Sequence, residues 1–128
     1  MVKAITKNIE VSVDCKYQSI QSNPKENLYF FIYKITIVNK SDYTVKLLKR
    51  HWEIADSNGD KRKVDGEGVV GETPTIKVGD QFQYTSGCNL QTEIGYMEGF
   101  YTMKRLVDNE LFNIEIPRFK LIVPAKLN

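Results

Sequence analysis

NIEVSVDCKY, residues 8–17, decides the fold class. Its odd positions Ile9, Val11, Val13, Cys15 and Tyr17 are apolar, and its even positions Glu10, Ser12, Asp14 and Lys16 are polar. Successive side chains of an extended chain point to opposite faces, so this is a strand with one face on a core and the other in water.

The same period of two runs outward from that stretch. In NLYFFIYKITIVNKS, residues 27–41, Tyr29, Phe31, Tyr33, Ile35 and Ile37 share a face. The opposite face starts apolar with Leu28, Phe30 and Ile32 and turns polar at Lys34 and Thr36, which predicts a central strand covered on both sides for part of its length. Asn23-Pro24 precedes it and Asn39-Lys40-Ser41-Asp42 ends it, both turn compositions. Residues 43–56 alternate again but change phase: Tyr43, Val45 and Leu47 lie on one face, Leu48, Trp52 and Ile54 on the other. The adjacent leucines predict a bulge, and Asn58-Gly59 predicts a tight hairpin turn. Residues 61–79 carry four of the 8 glycines plus Pro74 and read as a long structured loop with short strands. Beyond Gly79-Asp80, Phe82 and Tyr84 alternate in a further strand. Met97, Tyr101 and Met103 then oppose Tyr96 and Phe100, and Asp108-Asn109 makes another hairpin. In the last strand Phe112, Ile114 and Ile116 give way after Pro117 to Phe119, Leu121 and Val123, so Pro117 marks an edge or bulge. No segment has helical periodicity. Seven or eight strands joined by turns predict an all-β, antiparallel sandwich of the immunoglobulin/fibronectin type III kind, residues 1–128 forming one domain.

Composition narrows the function classes. With 18 basic and 16 acidic residues the formal charge is +2, which gives no long-range pull toward nucleic acid or anionic membrane. Lys61-Arg62-Lys63 reads as a solvated hairpin flank. No apolar stretch approaches the ~20 residues that cross a bilayer, and the N-terminus lacks a signal-peptide core, so a cytoplasmic protein without membrane insertion is expected. Cys15 and Cys88 are expected to be small hydrophobes or inert thiols; neither belongs to a C-x-x-C pair.

DGEGVVGETP, residues 65–74, holds Gly66, Gly68 and Gly71 in the spacing G-x-G-x-x-G. That spacing cradles a pyrophosphate when a strand precedes it and a helix N-terminus follows. Here Gly71 is followed by a Pro- and Gly-containing stretch without helical pattern, and Asp65, Glu67 and Glu72 would repel phosphate. The glycines are therefore expected to shape a loop, with small-ligand or nucleotide binding through Gly66, Gly68 and Gly71 as the alternative. Asp65, Glu67 and Glu72 offer oxygen ligands for weak Mg²⁺ or Co²⁺ binding; no other cofactor is expected. His51, the one histidine, has Glu53 on its own face as a pairing partner, while Thr85, Ser86 and Cys88 stand in no nucleophile elbow. No acid–base–nucleophile set is present, and no catalytic residue is assigned. Trp52 reads as core; several of the 7 tyrosines alternate into the predicted core, and Tyr84, Tyr96 and Tyr101 could equally form an exposed aromatic patch that binds a protein, a homodimer partner included.

Residues 50–87, RHWEIADSNGDKRKVDGEGVVGETPTIKVGDQFQYTSG, combine an R-x-W strand, an N-G turn, V-x-G-E-G-V-V-G, P-x-I-x-x-G-D and F-x-Y-T-S-G. With G-x-M-x-G-x-Y-x-M from Gly95 and F-x-I-x-I-P-x-F-x-L from Phe112, this resembles the bacterial ApaG proteins over essentially the whole chain. The resemblance implies a fibronectin type III-like sandwich and an association with cobalt and magnesium efflux, with no established reaction. Related domains in eukaryotic F-box proteins and a polymerase-interacting protein imply a partner-binding module. A chain of this kind would regulate or bind a transporter without being one.

Overall fold

The alternation is realised as nine strands in the computed structural model, which describes residues 1–124. They are β1 (Val2–Thr6), β2 (Ile9–Tyr17), β3 (Tyr29–Asn39), β4 (Val45–Asp56), β5 (Lys61–Glu67), β6 (Thr75–Ile76), β7 (Gln81–Leu90), β8 (Ile94–Arg105) and β9 (Glu110–Ile122). Every pairing is antiparallel. One sheet runs β1-β2-β3-β7; the other runs β5-β4-β8-β9, with β6 continuing beside β4 where β5 ends. The two stack as a sandwich of the expected kind. Residues 125–128 of the domain read from the sequence lie outside the described residues.

The count exceeds seven or eight because two edge strands carry little pattern. In β1 the sequence VKAIT is exposed along most of its length, and in β5 the sequence KRKVDGE pairs with β4 from Ala55↔Lys61 to Lys49↔Glu67 although it reads as loop. An edge strand buries neither face fully, so hydrophobic alternation fades exactly where pairing is with backbone alone.

Both predicted phase changes are bulges. The β4–β8 register slips between Leu47 and Lys49, turning the core set from Val45 and Leu47 to Trp52 and Ile54. The β8–β9 register slips between Met97 and Gly99, so that Glu98 opposes Pro117 and Arg118, and the core set of β9 shifts from Ile114 and Ile116 to Phe119 and Leu121. An extra residue re-aims all later side chains to the other face. Trp52 is core, as read: it meets Tyr33 of the facing sheet edge-on at 5.4 Å and Phe119 at 5.9 Å. Such aromatic pairs add about 0.5–1.5 kcal/mol each beyond their burial.

One fully buried polar side chain ties the connections together. Asn39 donates from Nδ2 to the carbonyls of Tyr43 (2.8 Å) and Ile76 (2.9 Å), while its Oδ1 accepts from the Ser41 N–H (3.0 Å) and hydroxyl (2.6 Å). Its own N–H and carbonyl bond Asp80 and Gly79. The end of β3, the turn to β4, β6 and the turn into β7 thus share one side chain. Asn39→Asp keeps the shape but turns the amide donor into an acceptor facing two carbonyls. Urea unfolding is expected to show a loss of about 2–3 kcal/mol; an unchanged midpoint would mean that the network contributes nothing net.

Candidate functional site

A sandwich of two open sheets has two sides where edge strands meet. On one, β9 closes on β1, with the Glu115 N–H donating to the Thr6 hydroxyl at 3.1 Å. On the other, β5 and β7 leave a cleft of ≈ 420 Å³. Its floor is Tyr33, Trp52, Ile54 and Met97, and its rim carries Arg50, Arg62, Ser86 and Cys88. Arg62 spans the cleft, donating from Nη2 to the Asn89 carbonyl and contacting the Cys88 sulfur at 3.4 Å.

Arg50 explains the glycine spacing. In the β4–β5 register it faces Gly66, and a Cβ there would sit 2.6 Å from the guanidinium carbon. Its Nη1 donates to the carbonyls of Glu67 (2.9 Å) and Gly68 (3.0 Å). The loop then folds back on itself: the Gly68 N–H bonds Leu48, and Val69 and Glu72 exchange two backbone bonds of 2.8 and 2.9 Å. Gly68 has φ +59, and a Cβ on it would meet the Glu72 carbonyl oxygen at 2.1 Å, so glycine is required. Val70 (φ 44) and Gly71 (φ 80) form the central pair of a turn with both φ angles positive. Gly66, Gly68 and Gly71 are thus accounted for by chain geometry. The stretch after them becomes the short strand β6 and not a helix, so no helix N-terminus is offered to a pyrophosphate.

The acids are not assembled either. Among the described residues no group of three or more His, Cys, Asp or Glu side chains is close enough to hold a metal ion. Asp65 is taken by His51, whose Nδ1 lies 2.6 Å from its Oδ1. Glu67 sits opposite Lys49, and Glu72 lies beyond the turn. The Mg²⁺ or Co²⁺ shell expected from Asp65, Glu67 and Glu72 is not formed in this geometry, because two are consecutive outward positions of a strand and the third belongs to another segment.

His51 lies on the outer face of its sheet, stacked on Phe100 at 4.7 Å, with Glu53 Oε2 3.5 Å from Nε2. Both ring nitrogens therefore face carboxylates. Thr85, Ser86 and Cys88 belong to the other sheet, and burial raises the Cys88 thiol above its ordinary range, which keeps it protonated. Of the two placements open to the tyrosines, core or exposed patch, the patch is not formed. Tyr84 and Tyr101 point inward from facing sheets and share a hydroxyl–hydroxyl hydrogen bond, while Tyr96 is half-buried under Arg118. The sequence reading placed Arg62 on a solvated flank and assigned Arg50 no role. The one available signal was register: an Asn-Gly hairpin at 58–59 sets Arg50 opposite the glycine motif and turns every even residue of β5 toward the cleft.

Two outcomes follow. Val70 is a β-branched residue in a left-handed conformation, half-exposed, which costs roughly 1–3 kcal/mol. Val70→Asn creates the Asn-Gly pair that such turns favour and is expected to stabilise by about 1 kcal/mol in urea unfolding; a loss would show that the valine side chain contributes packing. Burial also raises the Tyr33, Tyr84 and Tyr101 hydroxyls and both thiols, that of Cys15 to about 12. The unfolded chain releases these protons first, so the stability they contribute is intact below about pH 9 and falls as pH rises toward about 12. Unfolding midpoints measured at about pH 8 and about pH 10.5 should differ, with a smaller difference in Cys15→Ser.

Known proteins share this frame. The ApaG domain family model matches residues 19–105. Protein ApaG of Brucella canis is 50% identical over 126 residues, covering 98% of this chain and 96% of that protein. An X-ray structure of a structural-genomics target superposes with TM-score 0.89 at 42% identity, covering 98% of this chain and 94% of its own. The putative ApaA protein from Bordetella pertussis does so with TM-score 0.87 at 37% identity, covering 91% and 94%. A sandwich with its glycine loop seated on an arginine, matched over nearly its full length by these relatives, makes the chain a member of the ApaG family.

Proposed function

We propose that the domain acts by binding a protein partner and not by catalysis, taking an extended segment of that partner as an added strand on β7. The observation that supports this is the chemistry of the β7 edge. Natural edge strands are blunted by charge, proline, bulges or a cover, because unpaired N–H and C=O groups template further pairing. β5 carries five charged residues in seven, β9 contains Pro117 and closes on β1, and β1 carries Lys3. The ten residues of β7, QFQYTSGCNL, include no charge and no proline, and their register with β3 runs without a bulge.

The free groups can be named. The Phe30 carbonyl accepts from Gln18 on the β2 side and its N–H donates to Ser22, so the Phe30↔Asn89 pair is one in which neither residue bonds the other. Alternation then points the backbone groups of Gln83, Thr85, Gly87 and Asn89 away from β3; the Asn89 carbonyl is taken by Arg62, which leaves those of Gln83, Thr85 and Gly87. Among the described residues no backbone–backbone bond reaches them from outside the sheet. Strand addition uses such groups for affinity and adjacent side-chain pockets for specificity.

No helix of the described residues is long and apolar enough to cross a membrane. The tie to cobalt and magnesium homeostasis that the family likeness implies would therefore run through the bound partner. A cytoplasmic setting is the reading that two free cysteines support.

Thr85→Pro removes an outward N–H without taking a bond from the β3–β7 ladder. Affinity capture from the native cell is expected to retain partners on the wild-type protein and to lose them on this variant, with the two proteins alike in circular dichroism and thermal midpoint. An identical retained set would count against the β7 edge.

A further inference from the structure

Among the described residues no carboxylate forms an ion pair with Arg50 or Arg62. Seven ion pairs within 4.0 Å occur among the described residues, and neither arginine belongs to one. Arg105 and Arg118, by contrast, each hold carboxylates on the outer surface. Arg50 donates to two loop carbonyls from Nη1, and Arg62 engages Asn89 and Cys88 from Nη2. A guanidinium has five N–H donors, so most of each fork is left for another acceptor. Both arginines line the same cleft, over a floor of the buried side chains of Trp52, Ile54 and Met97. A charge-assisted pair formed over such a floor is stronger than one on an open surface.

The cleft runs beside the outward backbone of Gly87 and Asn89. A strand added to β7 would place alternate side chains into it. From this juxtaposition we infer that the partner segment carries an aspartate or glutamate that enters the cleft between Arg50 and Arg62, with an apolar residue two positions away over the Trp52 floor; the inference rests on strand addition at β7. Gly66 then has a functional consequence, because its missing side chain leaves room for the Arg50 guanidinium beside the cleft. A second copy of the chain does not satisfy the site through its own β7, since QFQYTSGCNL contains no carboxylate.

The test uses the intact protein and a phage-displayed library of random dodecapeptides. Selected sequences are expected to alternate and to carry Asp or Glu at one fixed position. A synthetic peptide from the selection should lose tenfold or more in affinity when that acid becomes its amide, and Arg62→Gln should cause the same loss. The two changes together should cost no more than either alone. Arg62 is exposed, so its substitution leaves the core intact, and Arg62→Glu should turn the selection toward lysine. Neutral peptides, or peptide and Arg62 losses that simply add, would overturn the inference. Displacement of the acidic peptide by equimolar inorganic phosphate would overturn it too, by showing a site for a free anion. Neutral peptides whose binding is abolished by Thr85→Pro would leave strand addition standing without the acid; acidic peptides indifferent to Thr85→Pro would remove strand addition itself.

Discussion

Each sheet of a sandwich ends in strands whose outer backbone groups have no partner, and the finish given to those edges governs both the solubility and the use of this fold. Here the two sides are finished differently. β9 and β1 close on each other, with Thr6 bonding the Glu115 backbone. On the other side β5 is charged, β7 is bare, and Arg62 reaches across the gap between them. The asymmetry places a cleft with an apolar floor and two arginines beside an uncharged edge.

That arrangement depends on details far from the cleft. The bulge at Leu48 turns Trp52 and Ile54 into the interior, where they form the cleft floor. The glycine-rich connection seats Arg50 under Gly66 and returns the chain to β6 through a strained turn at Val70. Asn39 fixes β6 and the turn into β7. One buried amide thus sets where the bare strand begins, and one missing Cβ sets where a guanidinium lies.

The sequence made the frame legible wherever a strand buries one face. β2, β3, β8 and β9 follow from alternation, and the adjacent leucines and Pro117 reveal the two bulges because a phase change must be absorbed by an extra residue. β1 and β5 stayed hidden, since an exposed edge strand is held by backbone bonds that leave no hydrophobic pattern. The family likeness rested on composite motifs and is supported by the relatives. The glycine spacing is followed by a stretch that reads as non-helical, and that stretch forms β6. Its acids looked like a metal shell because sequence proximity ignores direction: Asp65 turns out to face His51. Arg50 and Arg62 were missed for the same reason. Only the register shows that they meet in one cleft, and only the ion-pair pattern shows that they pair with no carboxylate among the described residues.

The most direct test of the account is residue-resolved amide exchange across β7, free and with a strand-forming acidic peptide bound. The outward N–H groups of Gln83, Thr85 and Gly87 should exchange quickly in the free protein, while Tyr84 and Ser86, bonded to β3, are protected. Peptide should slow the outward set selectively. Protection already complete in the free protein, or peptide-induced protection confined to the outer face around His51 and Phe100, would contradict it.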